Sequence, residues 1–280
     1  MPEHLFFSKT TTSSATERGE GSVASRKKQR LDMAVSAIQR RWGPKALRRW
    51  GQEARIAQIP HISTGFPNLD KALGIGGVPR SRITEVLGAP TSGMATLTLK
   101  VIANAQAQGD IAAYLDLSQT FDPDYAARCG VDLDKLLLAR PHTGVEALEI
   151  LYSLIASRGA GVLVFDSISQ LIAESHGPQA ISIALRRLAG ALAHAPCALI
   201  FLTPLHFGDA DSTDNYPSGF ALPHYTAVRL LIEKEQWLRK RRDVRGYQAR
   251  VTVLKNKLGP SGKSVSIAIT FNGVVDGNGT

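Results

Sequence analysis

Chemistry in this chain is concentrated in a few short stretches, and the first is ITEVLGAPTSGMATLTL, residues 83–99. An apolar run from Ile83 to Leu87 leads into a loop bounded by Gly88 and Gly93, and an apolar helix opens at Met94. This is the strand, phosphate-cradling loop and helix order of a P-loop, where backbone N–H groups and the helix dipole hold an anion. A working loop follows its second Gly with Lys, for the β and γ phosphates, and then with Ser or Thr, for Mg²⁺. Met94 and Ala95 stand there instead, and neither can do that work. Pro90 removes one N–H from the cradle, while the amides around Ser92 to Ala95 still favour an anion. The same Gly spacing also serves plain strand-to-helix turns, so the rest of the chain has to decide. A second stretch, VLVFD, puts Asp166 at the carboxyl end of an apolar run, where a carboxylate could orient Mg²⁺ through water. Asp122 precedes Pro123 and Tyr125 as a helix cap would. Lys255 and Lys257, in LKNKLG, read as a strand-end pair.

The elements that must position these residues follow from the apolar pattern. Strand-like runs recur at Ile83–Leu87, Ile111–Leu115, Leu136–Ala139, Val162–Asp166, Cys197–Thr203, Val228–Ile232, Arg250–Lys255 and Val265–Phe271. The first five are separated by helix-length segments and are apolar rather than alternating, as strands buried on both faces should be. The last three follow one another without helices, which predicts an antiparallel extension. The fold class is therefore α/β, a mostly parallel sheet between helices, with the phosphate loop at the carboxyl end of a strand.

At 280 residues and 44% hydrophobic, the chain can bury one good core and a small appendage. No apolar run approaches the ~18 residues of a membrane span. Two cysteines, with no CxxC spacing and no secretory leader pattern, fit a reduced cytosol and predict a cytoplasmic protein without a disulfide or zinc framework. The net charge is +9, and the segment from Arg26 to Arg55 alone holds ten Lys or Arg against Asp32 and Glu53. Such a concentration suggests a polyanionic partner, with nucleic acid the first candidate for a soluble chain, although it also fits a solvated helix face.

Residues 1–25 are rich in Ser and Thr without an apolar period and read as a disordered leader. Residues 26–60 read as a basic helical arm: Leu31, Val35, Ile38 and Trp42 share one helix face, Arg40 and Arg41 point elsewhere, and Gly43-Pro44 ends the helix. A second short helix is predicted from Pro44 through Trp50, carrying Arg48 and Arg49. A turn-rich link spans Ile62 to Arg80, and the core occupies the rest of 61–280.

From about Trp42 to Phe271 the sequence resembles the bacterial RecA recombinase family. The segments that carry the likeness include ISTGFPNLDKALGIGGVPRSRITEVLGAPTSG, FDPDYAARCGVDLDKLLLARPHTGVEALEI, VFDSISQL, HYTAVRLLI and VTVLKNKLG. The resemblance implies a RecA-like core, an N-terminal helical arm that docks on a neighbouring protomer, two DNA-facing loops and ATP held between subunits. The chain stops at Thr280, so the family's C-terminal domain and acidic tail are expected to be absent. The family's phosphate-holding Lys falls on Met94 and its Mg²⁺-holding Thr on Ala95. The acid that activates the attacking water falls on Ser118, and a Gln that senses the γ-phosphate falls on Pro204. Losing one positioned transition-state donor costs ~10²–10³ in rate, and here clamp, metal ligand and base are absent together. The chain is thus expected to be a pseudo-ATPase with a degenerate phosphate loop, not an enzyme, with no cofactor required.

Other positions are kept. Gly88, Ser92, Gly93 and Asp166 remain, and Asp122 and Tyr125 match residues that hydrogen-bond and stack on adenine, which implies weak ATP or ADP binding without hydrolysis. Lys255 and Lys257 match lysines that reach a neighbour's ATP phosphates. Gly219 and Arg186 match positions near DNA. The second DNA-facing loop, Leu205 to Ala221, carries Asp209, Asp211 and Asp214 and no Lys or Arg, so DNA is better served by the arm and by Arg239, Lys240, Arg241, Arg242 and Arg245. The expected function is a catalytically silent RecA-like protein in DNA repair. It would bind RecA filaments, DNA or both, and translesion polymerase components, and is similar in logic to ImuA-like accessories of translesion complexes. An active recombinase using Thr96 for the metal and a plain basic DNA-binding protein are the alternatives.

Overall fold

The computed structural model describes residues 16–44, 46–47, 59–174, 178–205, 216, 220–240 and 243–271. The chain separates into two units, residues 1–57 and 58–280. In the first, α1 runs from Thr16 to Trp42. It begins well inside the stretch expected as a disordered leader. The missing apolar period there means that no face has to be buried, and it does not prevent the backbone from bonding to itself as a helix. The helix ends at Gly43, as expected, where φ is +89° and only glycine turns without a Cβ penalty. The apolar stripe is solvent-facing, with Leu31, Ile38 and Trp42 all exposed. Arg48, Arg49 and most of the second short helix lie outside the described residues.

In the second unit, β1 (His61–Ile62) pairs antiparallel with β2 (Val78–Pro79). Between them lies α2 (Pro67–Leu73), where only turns were expected. Pro67 suits the first helical position, Gly74 ends the helix at φ +75°, and Leu69 and Leu73 are buried one turn apart. Then follow β3 (Ile83–Gly88), α3 (Met94–Ala107), β4 (Ile111–Asp116), α4 (Pro123–Arg128), β5 (Leu136–Ala139), α5 (Gly144–Ser157), β6 (Ala160–Asp166), α6 (Ile168–Glu174), α7 (Pro178–Leu192), β7 (Ala198–Pro204), α8 (Leu222–Tyr225), β8 (Thr226–Lys240), β9 (Asp243–Asn256) and β10 (Ser264–Thr270).

The eight strands from β3 to β10 form one sheet in the order β10-β9-β8-β3-β7-β6-β4-β5. From β5 to β8 all neighbours are parallel, and β8, β9 and β10 are antiparallel. The fold class is as the apolar runs predict. One face of the sheet packs on Leu69, Leu73, Leu97, Ile102 and their neighbours from α2 and α3, and the other on Leu151, Ile155, Leu185 and Leu188 from α5 and α7. β8 and β9 are far longer than their apolar runs. Beyond Ile232, which lies opposite Gly88, they run on past the end of β3 with β10 still paired to β9 as far as Thr270 opposite Gly246, and only the tip, Arg239–Lys240 against Val244–Asp243, is two-stranded.

Candidate nucleotide site

The loop between β3 and α3 has the geometry of a phosphate cradle. Its glycines are demanded by packing: a Cβ on Gly88 would meet the Ile232 carbonyl oxygen at 2.6 Å, and one on Gly93, where φ is +114°, would meet Ile269 Cδ1 at 2.4 Å. The Ser92 N–H donates to the Ala89 oxygen at 3.0 Å. Its hydroxyl is buried without a hydrogen-bond partner among the described residues, and such an orphan beside a helix start is what an anion would satisfy. No cation reinforces it. Met94 is 8% exposed and joins the core under the sheet, whereas Ala95 is exposed and offers a methyl group. The residues present thus fit a phosphate held by backbone amides and do not fit a Mg²⁺ ion at this place.

Thr96, the remaining hydroxyl on this turn, does not replace the missing ligand. It is buried, and its Oγ1 lies 2.6 Å from the Tyr125 hydroxyl. This bond ties α4 to the first turn of α3 and places the Tyr125 hydroxyl beside it. Burial pushes the Tyr125 hydroxyl pKa up, opposed by the Thr96 bond, and Arg128 sits over its ring at 5.5 Å. Tyr247 approaches from β9, its hydroxyl 3.3 Å from where a Gly93 Cβ would be, and burial pushes it up to about 12. Asp122 is exposed and caps α4, accepting the Tyr125 N–H at 3.0 Å.

Asp166 ends β6 in register with Asp116 at the end of β4. The Tyr114 hydroxyl donates to Asp166 at 2.6 Å. Burial holds the Asp166 carboxyl above the usual range, opposed by that bond and reinforced by the nearby Asp116. The following peptide, Asp166–Ser167, is cis. Asp116 escaped the sequence reading, although it too ends an apolar run. It is fully buried and accepts from the N–H groups of Thr120 and Phe121 and from Arg140 Nε at 3.1 Å. With its oxygens so engaged it fastens the turn after β4 to Arg140. Ser118 stands close by, its hydroxyl 2.8 Å from Thr120 Oγ1 and 3.4 Å from Asp116. A serine hydroxyl is itself far too weak a base to take a proton from water. Pro204 ends β7 opposite Gly88 and carries no donor.

A further polar cluster also went unseen in the sequence. Glu85, fully buried in β3, accepts from Arg229 Nε of β8 at 2.7 Å, from Thr203 of β7 at 2.9 Å and from the Tyr216 hydroxyl. Tyr216 belongs to the expected DNA-facing loop, whose residues 206–215 and 217–219, including Asp209, Asp211, Asp214 and Gly219, lie outside the described residues. Lys255 pairs across the ladder with Arg229. Its ammonium donates to the Pro223 oxygen at 2.5 Å, and that of Lys257 donates to the His224 oxygen at 2.8 Å. Burial, then Lys257 and Arg229, push the Lys255 pKa down. The two lysines therefore lie together at the amino-terminal end of β8, away from the loop. Arg186 is exposed on α7. Arg40 and Arg41 are exposed in the last turn of α1, and Arg241 and Arg242 lie outside the described residues.

Among the described residues no group of three or more His, Cys, Asp or Glu could hold a metal, and no helix is long and apolar enough to cross a membrane. Residues 29–276 match the RecA N-terminal domain model. The chain is 39% identical over 259 residues to the protein RecA of Brucella suis, covering 86% of this chain and 71% of that relative, and equally so to that of Brucella melitensis. The crystal structure of the RadB recombinase superposes with a TM-score of 0.61 at 24% identity, over 76% of this chain and 97% of that one, a likeness of fold. The chain thus belongs to the RecA family, the RecA-like recombinases of DNA recombination and repair.

Proposed function

We propose that this chain is a catalytically silent RecA-family protein that works in DNA repair. It binds RecA filaments, DNA or both, and so modulates recombination or damage-induced translesion mutagenesis. The observation that carries this reading is the first turn of α3. The side chain after the second loop glycine is Met94, buried in the core, the next is a bare methyl group, and the one following hydroxyl is tied to Tyr125. That turn offers neither a phosphate clamp nor a metal ligand, and Ser118 offers no base. What the loop keeps supports weak ATP or ADP binding on backbone amides alone, with no cofactor required. RecA, DNA and translesion polymerase components are the partners this reading names, and the cytoplasm is where it places them. The rival reading, an active recombinase taking its metal on Thr96, is disfavoured by that residue's burial and its 2.6 Å contact with Tyr125.

The test is phosphate release from ATP with single-stranded DNA. The expected rate is indistinguishable from the no-enzyme control, and it stays so in Met94→Lys with Ala95→Thr, because Ser118 still leaves water unactivated. Turnover by the parent at the rate of an ordinary RecA overturns the reading.

A further inference from the structure

The large sheet ends in two edge strands, β5 and β10, and β10 is the longer, with seven residues paired to β9 alone. The phase of that pairing decides which of its backbone groups are left over. The Val253 N–H donates to the Lys263 oxygen at 2.8 Å and the Phe271 N–H to the Arg245 oxygen at 3.1 Å. In an antiparallel ladder Val265, Ile267 and Ile269 then bond to β9, while Ser264, Ser266 and Ala268 turn their N–H and C=O groups outward. Among the described residues these outward groups have no backbone partner. The strand, SVSIAIT, lacks the usual protection of an edge, having no Pro, no charged residue and no bulge against β9. Beside it runs a groove of about 680 Å³, with Phe66, Pro67 and Lys71 on the α2 side and Lys263, Val265 and Ile267 on the β10 side. Lys71 and Lys263 are exposed and make no ion pair among the described residues.

We infer that this edge takes an extended, acidic segment of a partner protein as a ninth strand of the sheet. Residues of the segment opposite Ser264, Ser266 and Ala268 exchange ladder bonds with them, which supplies affinity without regard to sequence. The residues between point to the other face, where Phe66, Val265 and Ile267 line the groove, and this supplies the choice of apolar side chains. Carboxylates on the segment pair with Lys71 and Lys263. The occupant is anionic because both charges lining the groove are positive and the whole chain carries +9. A second copy fits worse, since it brings the same cations and its own α2 to the same edge. The phosphate loop takes no part in this contact, so it and the proposed function can fail separately.

The probe is a fluorescein-labelled peptide, Glu-Ser-Val-Ser-Val-Ser-Glu, titrated with the full chain and followed by anisotropy. Saturable binding is expected, ~2- to 30-fold weaker in Lys71→Gln with Lys263→Gln, the range of two exposed ion pairs. The peptide N-methylated on its serines, whose N–H groups face β10, should not bind, whereas the one N-methylated on its valines should bind as the unmodified peptide does. Ala268→Pro removes one outward N–H and no bond to β9. Its circular dichroism should match the parent, and its affinity for the peptide should fall ~2- to 12-fold, the worth of one hydrogen bond. If that variant does not fold, the two methylated peptides still decide. No saturable binding, equal binding of the two methylated peptides, undiminished binding by folded Ala268→Pro, or equal binding of a peptide with lysines for its glutamates each overturns the inference. So do a dimer that Ala268→Pro dissolves and a peptide that binds only once residues 272–280 are deleted, because these give the edge to a second copy or to the chain's own end.

Discussion

The buried Glu85 cluster sets a stability experiment whose outcome can be worked from the structure. Glu85 is 0% exposed and Arg229 5% exposed, and their 2.7 Å bond joins the loop strand β3 to β8. Arg229→Met removes the cation and leaves a buried carboxylate with Thr203 and Tyr216 as its donors among the described residues. Stranding one member of a buried pair costs roughly 3–5 kcal/mol, a large part of the ~5–15 kcal/mol by which a domain is stable. Glu85→Leu takes the carboxylate away from Arg229 and from the Thr203 and Tyr216 hydroxyls, at ~1–3 kcal/mol for a buried polar group that loses its partner. The double variant strands no charge. It should lose only the hydroxyl bonds, and so be more stable than the sum of the single losses by about 2–4 kcal/mol. Urea midpoints at constant m-value measure all four corners of the cycle. If the two single losses simply add in the double variant, the pair is not coupled and the charge reasoning fails. Tyr216→Phe, which removes one donor to Glu85, should lower the urea midpoint by the equivalent of about 1 kcal/mol.

Two further outcomes follow from the shifted groups. The Asp166 carboxyl is held above its ordinary pKa, chiefly by burial. The folded state therefore binds its proton more tightly than the unfolded chain, and this contribution to stability is full at low pH and lost as pH rises through the folded value. Asp166→Asn should raise the urea midpoint at pH 8 and lose that advantage as pH falls through the carboxylate range; a gain that is constant with pH would show that charge is not its cause. Lys255 is shifted the other way by burial and by Lys257 and Arg229, so an anionic partner placed between the lysines would relieve a repulsion already present. If they grip an ATP-loaded RecA protomer, Lys255→Ala with Lys257→Ala should abolish nucleotide-dependent co-sedimentation with RecA filaments, since truncating a buried charge partner costs ~2–5 kcal/mol. Undiminished co-sedimentation, or equal binding by the parent without nucleotide, would make them surface residues that merely fasten α8.

What the sequence made legible, and what it hid, divides along physical lines. The strands buried on both faces announce themselves as apolar runs, and the eight runs correspond to the eight strands from β3 to β10. Glu233–Lys240 carries no such signal, because past the end of β3 its own side chains are exposed or at most half-buried, and so β8 was read at less than half its length. The loop glycines are local and were visible. The ties between Thr96 and Tyr125, and from Glu85 to Tyr216 and Arg229, were not. Their partners stand 29, 131 and 144 positions apart, and only the sheet order β8-β3-β7 brings the Glu85 set together. Asp116 had the visible signature of Asp166, an acid closing an apolar run, and its role became clear only with Arg140 and the two backbone N–H groups around it.

The glycines of the loop and the residues after it answer to different requirements. Gly88 has no room for a Cβ because of the Ile232 carbonyl, and Gly93 has none because of Ile269 and a φ of +114°. Both demands come from β8 and β10 and would stand in a protein that never met a nucleotide. Nothing comparable constrains position 95, which is exposed, and at position 94 the core accepts any flexible apolar side chain of Met size. Position 118 sits in a polar turn where Ser satisfies Thr120 and Asp116 without strain. Architecture in this fold is therefore separable from chemistry, because the residues that shape the cradle and the residues that would work in it are held by separate interactions. A Gly-bounded loop after a buried strand reports the fold, and only the side chains that follow it report whether phosphate can be transferred there.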